Sequence, residues 1–117
     1  MSDDTLTLAI IGHLIGDYIL QNDWMALNKK RMLFPCLLHC SIWTALVCSI
    51  AGWWSLPAIG FLFVTHFIQD HTTIIRKWMS LIGQDAFATG PCAPWSIIIV
   101  DNVWHIVEIF IAWKWLA

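Results

Sequence analysis

Charge is scarce in this chain. Asp, Glu, Lys and Arg make up only 12% of the 117 residues, and the net charge is −2. A water-soluble domain of this length needs more polar surface to cover itself. A nucleic-acid binder needs a basic face to meet phosphates, and six Lys and Arg against eight Asp and Glu do not form one. Cysteine is sparse too. Cys36, Cys40 and Cys48 share one apolar run, where cysteine serves as a small hydrophobe, and Cys92 stands apart, so no disulfide framework is expected. Cys36-x-x-His39-Cys40 offers zinc-ligand types but lacks a second cysteine pair of finger-like spacing. A basic leader is also missing. The chain opens Met1-Ser2-Asp3-Asp4, acidic where a cleavable signal begins basic, and none is expected.

What is present is apolar. The chain is 59% hydrophobic, its mean hydropathy is +0.70, and it holds nine tryptophans. Several runs approach or exceed the ~20 residues needed to cross a bilayer. These features predict an all-α fold: one domain over 1–117, an integral membrane bundle of four transmembrane helices at about 6–25, 32–54, 56–76 and 95–116. The second run has no Asp, Glu, Lys or Arg. The stretch 80–94, with Gly83, Gly90, Pro91 and Pro94, reads as a loop whose first half continues as a short interfacial helix. Five of the six Lys and Arg fall after the first and third runs. The positive-inside rule then puts both loops in the cytoplasm and both termini outside. Tryptophans mark the two interfaces, Trp24, Trp78 and Trp95 inside and Trp53, Trp54, Trp113 and Trp115 outside, with Lys114 a minor exception.

Within these runs histidine and aspartate recur four residues apart: His13/Asp17, His66/Asp70 and, reversed, Asp101/His105. On a helix that spacing places both on one face. Counted inward from the basic loops, Asp70 and Asp101 lie roughly six residues deep, or ~9 Å at 1.5 Å per residue. His39, His66 and His105 lie a turn further in, and His13 lies deepest. The ionisable groups of four helices therefore share one slab, the cytoplasmic half of the membrane. The first and third runs also share His-x-Ile-x-Asp, which suggests two parallel hairpin repeats.

An ionised carboxylate in hydrocarbon costs at least ~2.5–3.5 kcal/mol. A divalent metal neutralises two carboxylates at once, and imidazole with carboxylate suits zinc, with manganese or iron as alternatives. The candidate ligands are His13, Asp17, His39, His66, Asp70 and His105. Asp101 belongs to the same polar set and, with Glu108, is a candidate general base. Glu108 follows Asp101 and His105 on one stripe and can instead orient His105 or carry a proton. Gln21 and Asn102 are candidate orienting groups. Seven groups exceed the four of a closed structural zinc, which points to two metals, or to one metal with acid–base residues beside it. Taken singly, each His–Asp pair also reads as a hydrogen bond between packed helices. Gly12 and Gly16 form a small-xxx-small face that either seats a neighbouring helix of the bundle or serves as a homodimer seam.

His13-Leu-Ile-Gly-Asp17-Tyr-Ile-Leu-Gln21-Asn-Asp-Trp24, His39, His66-Phe-Ile-Gln-Asp70, and Ala93-Pro94-Trp95-Ser96 followed by Asp101-Asn102-Val-Trp-His105 together resemble a family of small polytopic inner-membrane proteins of bacteria and phages, a domain of unknown function. The resemblance covers nearly the whole chain and implies an inner-membrane location. More distantly, the His-xxx-Asp pairs resemble those of membrane-bound metal-dependent hydrolases akin to the zinc phospholipase C and P1 nuclease group. That likeness implies metal ligation by His13/Asp17 and His66/Asp70. The N-terminal tryptophan ligand of the soluble enzymes has no counterpart, since the chain starts Met1-Ser2.

The expectation is a membrane-embedded metal-dependent hydrolase of a phosphoester, with a lipid or lipid-linked substrate reached from the cytoplasmic leaflet. The alternatives are a proton- or metal-ion-conducting transporter or channel component, and a non-catalytic membrane protein with structural His–Asp pairs.

Overall fold

The computed structural model describes residues 3–117. Met1 and Ser2, which carry part of the expectation of no cleavable leader and the comparison with an N-terminal tryptophan ligand, lie outside the described residues. All described elements are helical: α1 (Asp3–Leu14), α2 (Asp23–Asn28), α3 (Leu33–Ala51), α4 (Leu56–His71), α5 (Ile74–Leu81), α6 (Asp85–Thr89) and α7 (Trp95–Ile111). A π-helical turn, Ile15–Ile19, continues α1, and another, Ala112–Leu116, continues α7.

Local chemistry explains the boundaries. The helix expected over 6–25 stops after Ile19 because the chain restarts at Asn22, whose extended backbone and side-chain bond to the Met25 N–H cap α2. α3 ends at Gly52, which takes φ 75°, a left-handed cap that glycine adopts without steric cost. Ser55 caps α4, and Pro57 sits in its first turn. α4 ends at His71 rather than near 76, because Thr72 is extended. Much of the region between α4 and α7, including part of the expected loop, is helical as α5 and α6. Arg76 donates to Ser80 and Asp85, and Ser80 donates to Asp85. The bonds from Ser80 and Arg76 hold the exposed Asp85 carboxyl below its ordinary range.

Two helical stretches, Leu33–Ala51 and Trp95–Leu116, are long and apolar enough to cross a membrane. α4 is shorter: its 16 residues span about 24 Å, against a hydrocarbon core of about 30 Å.

The four longest helices form a ring. α1 packs on α3 and α7, and α4 packs on the same two, with α3 and α4 joined by the tight turn at Gly52–Ser55. At one end, Ser55 Oγ donates to the Leu116 carbonyl at 2.7 Å. At the other, the loop after α2 meets the end of α4, where Lys30 Nζ donates to the carbonyls of Gln69, Asp70 and Thr72. The apolar core gathers Ala9, Trp43, Val47, Leu62, Ile109 and Ala112. A smaller cluster of Ile75, Met79 and Ala88 packs α5 and α6 against α7.

The close approach of α1 to α3 depends on two glycines. A Cβ on Gly12 would lie 3.1 Å from Val47 Cα, and one on Gly16 would lie 2.7 Å from Trp43 Cδ1. The small-residue face is therefore used inside the chain. Trp43 cannot swing away cheaply, because its ring stacks on His66 at 4.0 Å and its Nε1 donates to His13. Gly16→Ala is expected to cost about 1–3 kcal/mol through overpacking, read as a lower melting temperature in detergent. Gly60→Ala is the control. Nothing lies within 4 Å of its Cβ position, so its melting temperature is expected to match or slightly exceed that of the wild type.

Candidate metal centre

Four helices send their polar side chains to one place. Asp17 comes from the π turn after α1, His39 from α3, His66 and Asp70 from α4, and Asp101 and His105 from α7. Asp70 is only 2% exposed, and His39, His66 and His105 are buried.

The first group is Asp17, His39, His66 and Asp70. His39 Nε2 lies 3.0 Å from Asp17 Oδ1, 3.2 Å from Asp70 Oδ2 and 3.1 Å from His66 Nε2. His66 Nε2 lies 3.5 Å from Asp17 Oδ1 and 3.0 Å from Asp70 Oδ2. All four ligand atoms lie within 4.8 Å of one another. Tetrahedral bonds of about 2.0–2.1 Å put ligands roughly 3.3 Å apart, so these distances match the edges of a tetrahedron. Hydrogen bonding alone fits them poorly. An imidazole nitrogen carries one hydrogen or one lone pair, yet His39 Nε2 faces three atoms at nearly equal range. Among the described residues no well-aligned hydrogen bond reaches Asp17 Oδ1, although two imidazole nitrogens lie within 3.5 Å of it. One central cation would satisfy all four atoms, whereas one proton satisfies a single line between two.

The second group is Asp70, Asp101 and His105. His105 Nε2 lies 3.5 Å from Asp70 Oδ1 and 3.3 Å from Asp101 Oδ2. Asp70 therefore gives Oδ2 to the first group and Oδ1 to the second. The ring nitrogen His105 turns away, Nδ1, lies 3.2 Å from Glu108 Oε2. A carboxylate on the far nitrogen is the usual way to orient a metal-bound histidine. Gln69 donates to the Asp101 carbonyl and to its Oδ1, leaving Oδ2 for the site. His66 stacks on His105 and on Trp43, each with ring centroids 4.0 Å apart. The stack keeps both imidazoles aimed.

The six expected ligands separate here. Asp17, His39, His66, Asp70 and His105 converge, joined by Asp101. His13 stands outside. Trp43 Nε1, which can only donate, bonds His13 Nδ1 at 3.1 Å. That nitrogen is therefore the acceptor, and Nε2 carries the hydrogen toward Asn102 Oδ1. The π turn explains why spacing misleads. It opens directly after Leu14 and winds the helix more loosely. Asp17 keeps Oδ2 3.5 Å from His13 but turns Oδ1 toward His39 and His66. Glu108, expected as a general base or an orienting group, is the partner of His105. Of the orienting candidates, Asn102 holds His13, while Gln21 bonds the Asp17 carbonyl. Residue types did not single out Gln69, Trp43 and Lys29. Gln69 precedes Asp70, which is the one signal for it. Lys29 read as a solvated loop, yet its Nζ lies 3.2 Å from Asp70 Oδ2. Burial opposes its charge, but Asp70 and Asp17 outweigh this and hold its pKa above the ordinary lysine value. His71 points elsewhere, to the Lys29 carbonyl.

Fold and site define an all-helical protein with buried His/Asp groups able to hold a metal ion. Over residues 5–117 the sequence matches the family described as a protein of unknown function, DUF3307, and the chain belongs to that family. No curated protein and no solved structure matches it.

The geometry ranks the ligands. Elemental analysis of detergent-purified variants, prepared without chelators or histidine tags, is expected to find metal retained in His13→Gln and lost in His39→Ala. Asp70→Ala should lose all of it, because both groups share that carboxylate. Loss in His13→Gln as complete as in His39→Ala would contradict this arrangement.

Proposed function

We propose that the chain is a four-span integral protein of the bacterial inner membrane that binds two divalent ions, zinc foremost, and hydrolyses a phosphoester. The observation that carries the reading is the Asp70 carboxylate, shared between a four-ligand group and a three-ligand group. A four-ligand set is the closed arrangement of a structural ion, and a three-ligand set leaves the open position of a catalytic one. Divalent ions at such a pair of sites supply Lewis acidity and acidify bound water.

In this reading, Asp101 would hold the second ion through Oδ2, which Gln69 leaves to the site. Water acidified there would lose its proton to solvent past Asp101, at 24% exposure the least buried carboxylate of the two groups. The water oxygen attacks phosphorus, the bond from phosphorus to the ester oxygen breaks, and the departing oxygen takes up a proton. The products are an alcohol and phosphate. Glu108 keeps His105 oriented.

The inverted polarity of the bundle supports a membrane setting. Leu8, Ile11 and Tyr18 of the first helix, Phe34 and Leu38 of α3, Val64 and Ile68 of α4, and Ile99, Val103 and Phe110 of α7 face outward, while the histidines lie inside. Water-soluble proteins show the opposite arrangement. Lys29, Lys30 and Arg76 line one cavity at one end of the ring. That shared end favours the cytoplasmic side, with both termini outside.

Zinc-loaded protein is expected to release phosphate from 4-nitrophenyl phosphate. A chelator or Asp70→Asn should abolish the release, and Asp101→Asn should lower it together with the metal content. A second reading has one observation in its favour. Glu108, His105, Asp70, His66, His39 and Asp17 form an unbroken series of contacts of 3.0–3.5 Å, which suits a proton or ion path. Metal retained without hydrolysis, together with proton or metal-ion flux in proteoliposomes, would favour that reading.

A further inference from the structure

Two cavities flank the second group, and they differ in chemistry. One, of about 240 Å³, reaches Asp70 and Asp101 and is lined by Lys29, Lys30 and Arg76. The other, of about 310 Å³, lies against Thr65, Gln69 and Glu108 and is otherwise apolar, with Ile74, Trp78 and Trp104 in its wall. Ile75 lines both. A single residue of α5 thus separates a basic hollow from a greasy one.

The cations of the basic hollow each have a partner in the chain. Lys29 is paired with Asp70, and Arg76 with Asp85 at the surface, while Lys30 meets only backbone carbonyls. The lining holds three cations and two carboxylates, Asp85 outside it matches Arg76, and a divalent ion at the centre would tip the balance to positive. An anion is the complementary ligand, and phosphate suits cations of both kinds. The apolar hollow asks for a different half of the same molecule. Trp78 and Trp104 meet edge to face at 5.3 Å and leave open space lined by isoleucine.

We propose that the ligand is a lipid phosphomonoester. Its phosphate sits among Lys29, Lys30 and Arg76, at the Asp101 side of the centre. Its chain passes Ile75 into the Trp78–Trp104 hollow. As a statement about substrate this rests on the hydrolase reading. As a statement about binding it does not.

The test uses the full chain in phosphatidylcholine nanodiscs, with its zinc content measured. Phosphatidic acid carrying brominated acyl chains is titrated in, and tryptophan quenching is read beside phosphate release. The expected result is saturable quenching that excess glycerol 3-phosphate does not reverse. Arg76→Gln should weaken it about tenfold through loss of a charge-assisted bond. Ile75→Trp, which fills the joint between the hollows, should weaken it while metal content stays at the wild-type level. Equal quenching by brominated phosphatidylcholine would overturn the proposal, since the phosphate would not matter. So would phosphate release from glycerol 3-phosphate as fast as from phosphatidic acid, which would leave the hydrolase reading in place. Specific quenching with no phosphate released would do the reverse, supporting the lipid site and ending the hydrolase reading.

Discussion

The bundle is arranged around one buried carboxylate. Asp70 is 2% exposed and sits in a ring of helices whose outward faces are apolar. A carboxylate taken from water into such a place costs several kcal/mol unless it is paired and hydrogen-bonded. Its surroundings meet that demand from every side. His39 and His66 approach Oδ2, His105 approaches Oδ1, and Lys29 reaches in from the loop after α2. α3, α4 and α7 must therefore sit where their imidazoles meet this group. The loop carrying Lys29 and Lys30 must fold back on the end of α4, and Lys30 holds it there through three carbonyls.

Trp43 turns this convergence into a rigid arrangement. It fills the space left by Gly16, stacks on His66, and donates its only hydrogen to His13. That last bond fixes His13 as an acceptor at Nδ1 and takes it out of the ligand set. His13 is then a strut between α1, α3 and α7, through Trp43 on one side and Asn102 on the other. Two His-xxx-Asp pairs of the same spelling thus do different work. The pair on α4 gives both members to the site, and the first pair gives only Asp17.

The helical class and most of the converging residues were legible in the sequence, because an apolar run tolerates few charges and each one must find a partner. The depth count placed His13, Asp17, His39, His66, Asp70, Asp101 and His105 in one slab, and the structure brings all of these but His13 into the two groups. Periodicity could not reveal the π turn, since nothing in Ile15–Ile19 distinguishes it from an α-helical turn except the glycine. Nor could it show that Trp43 would bond His13, which depends on the ring order of the helices. Lys29 was hidden for another reason. A lysine in a run of three basic residues reads as solvated surface, and only the fold-back of the loop shows that its stem reaches the centre. The end of α4 at His71 is not visible in the sequence, because Thr72 and Thr73 carry no strong helix-breaking signal. α5 follows them with an apolar face that packs inward at Ile75 and Met79.

That segment matters most for access. The chain turns at Thr72, and α5 contributes Arg76 and Ile75 to the cavity at Asp70 and Asp101. The first group lies deeper, with both histidines and Asp70 buried and Asp17 at 12% exposure. The second has Asp101 at the edge of the cavity. The two groups thus meet at the two oxygens of one carboxylate. Asp70 Oδ2 meets both histidines of the first group and the Lys29 ammonium at the cavity wall, while Oδ1 faces His105 of the second.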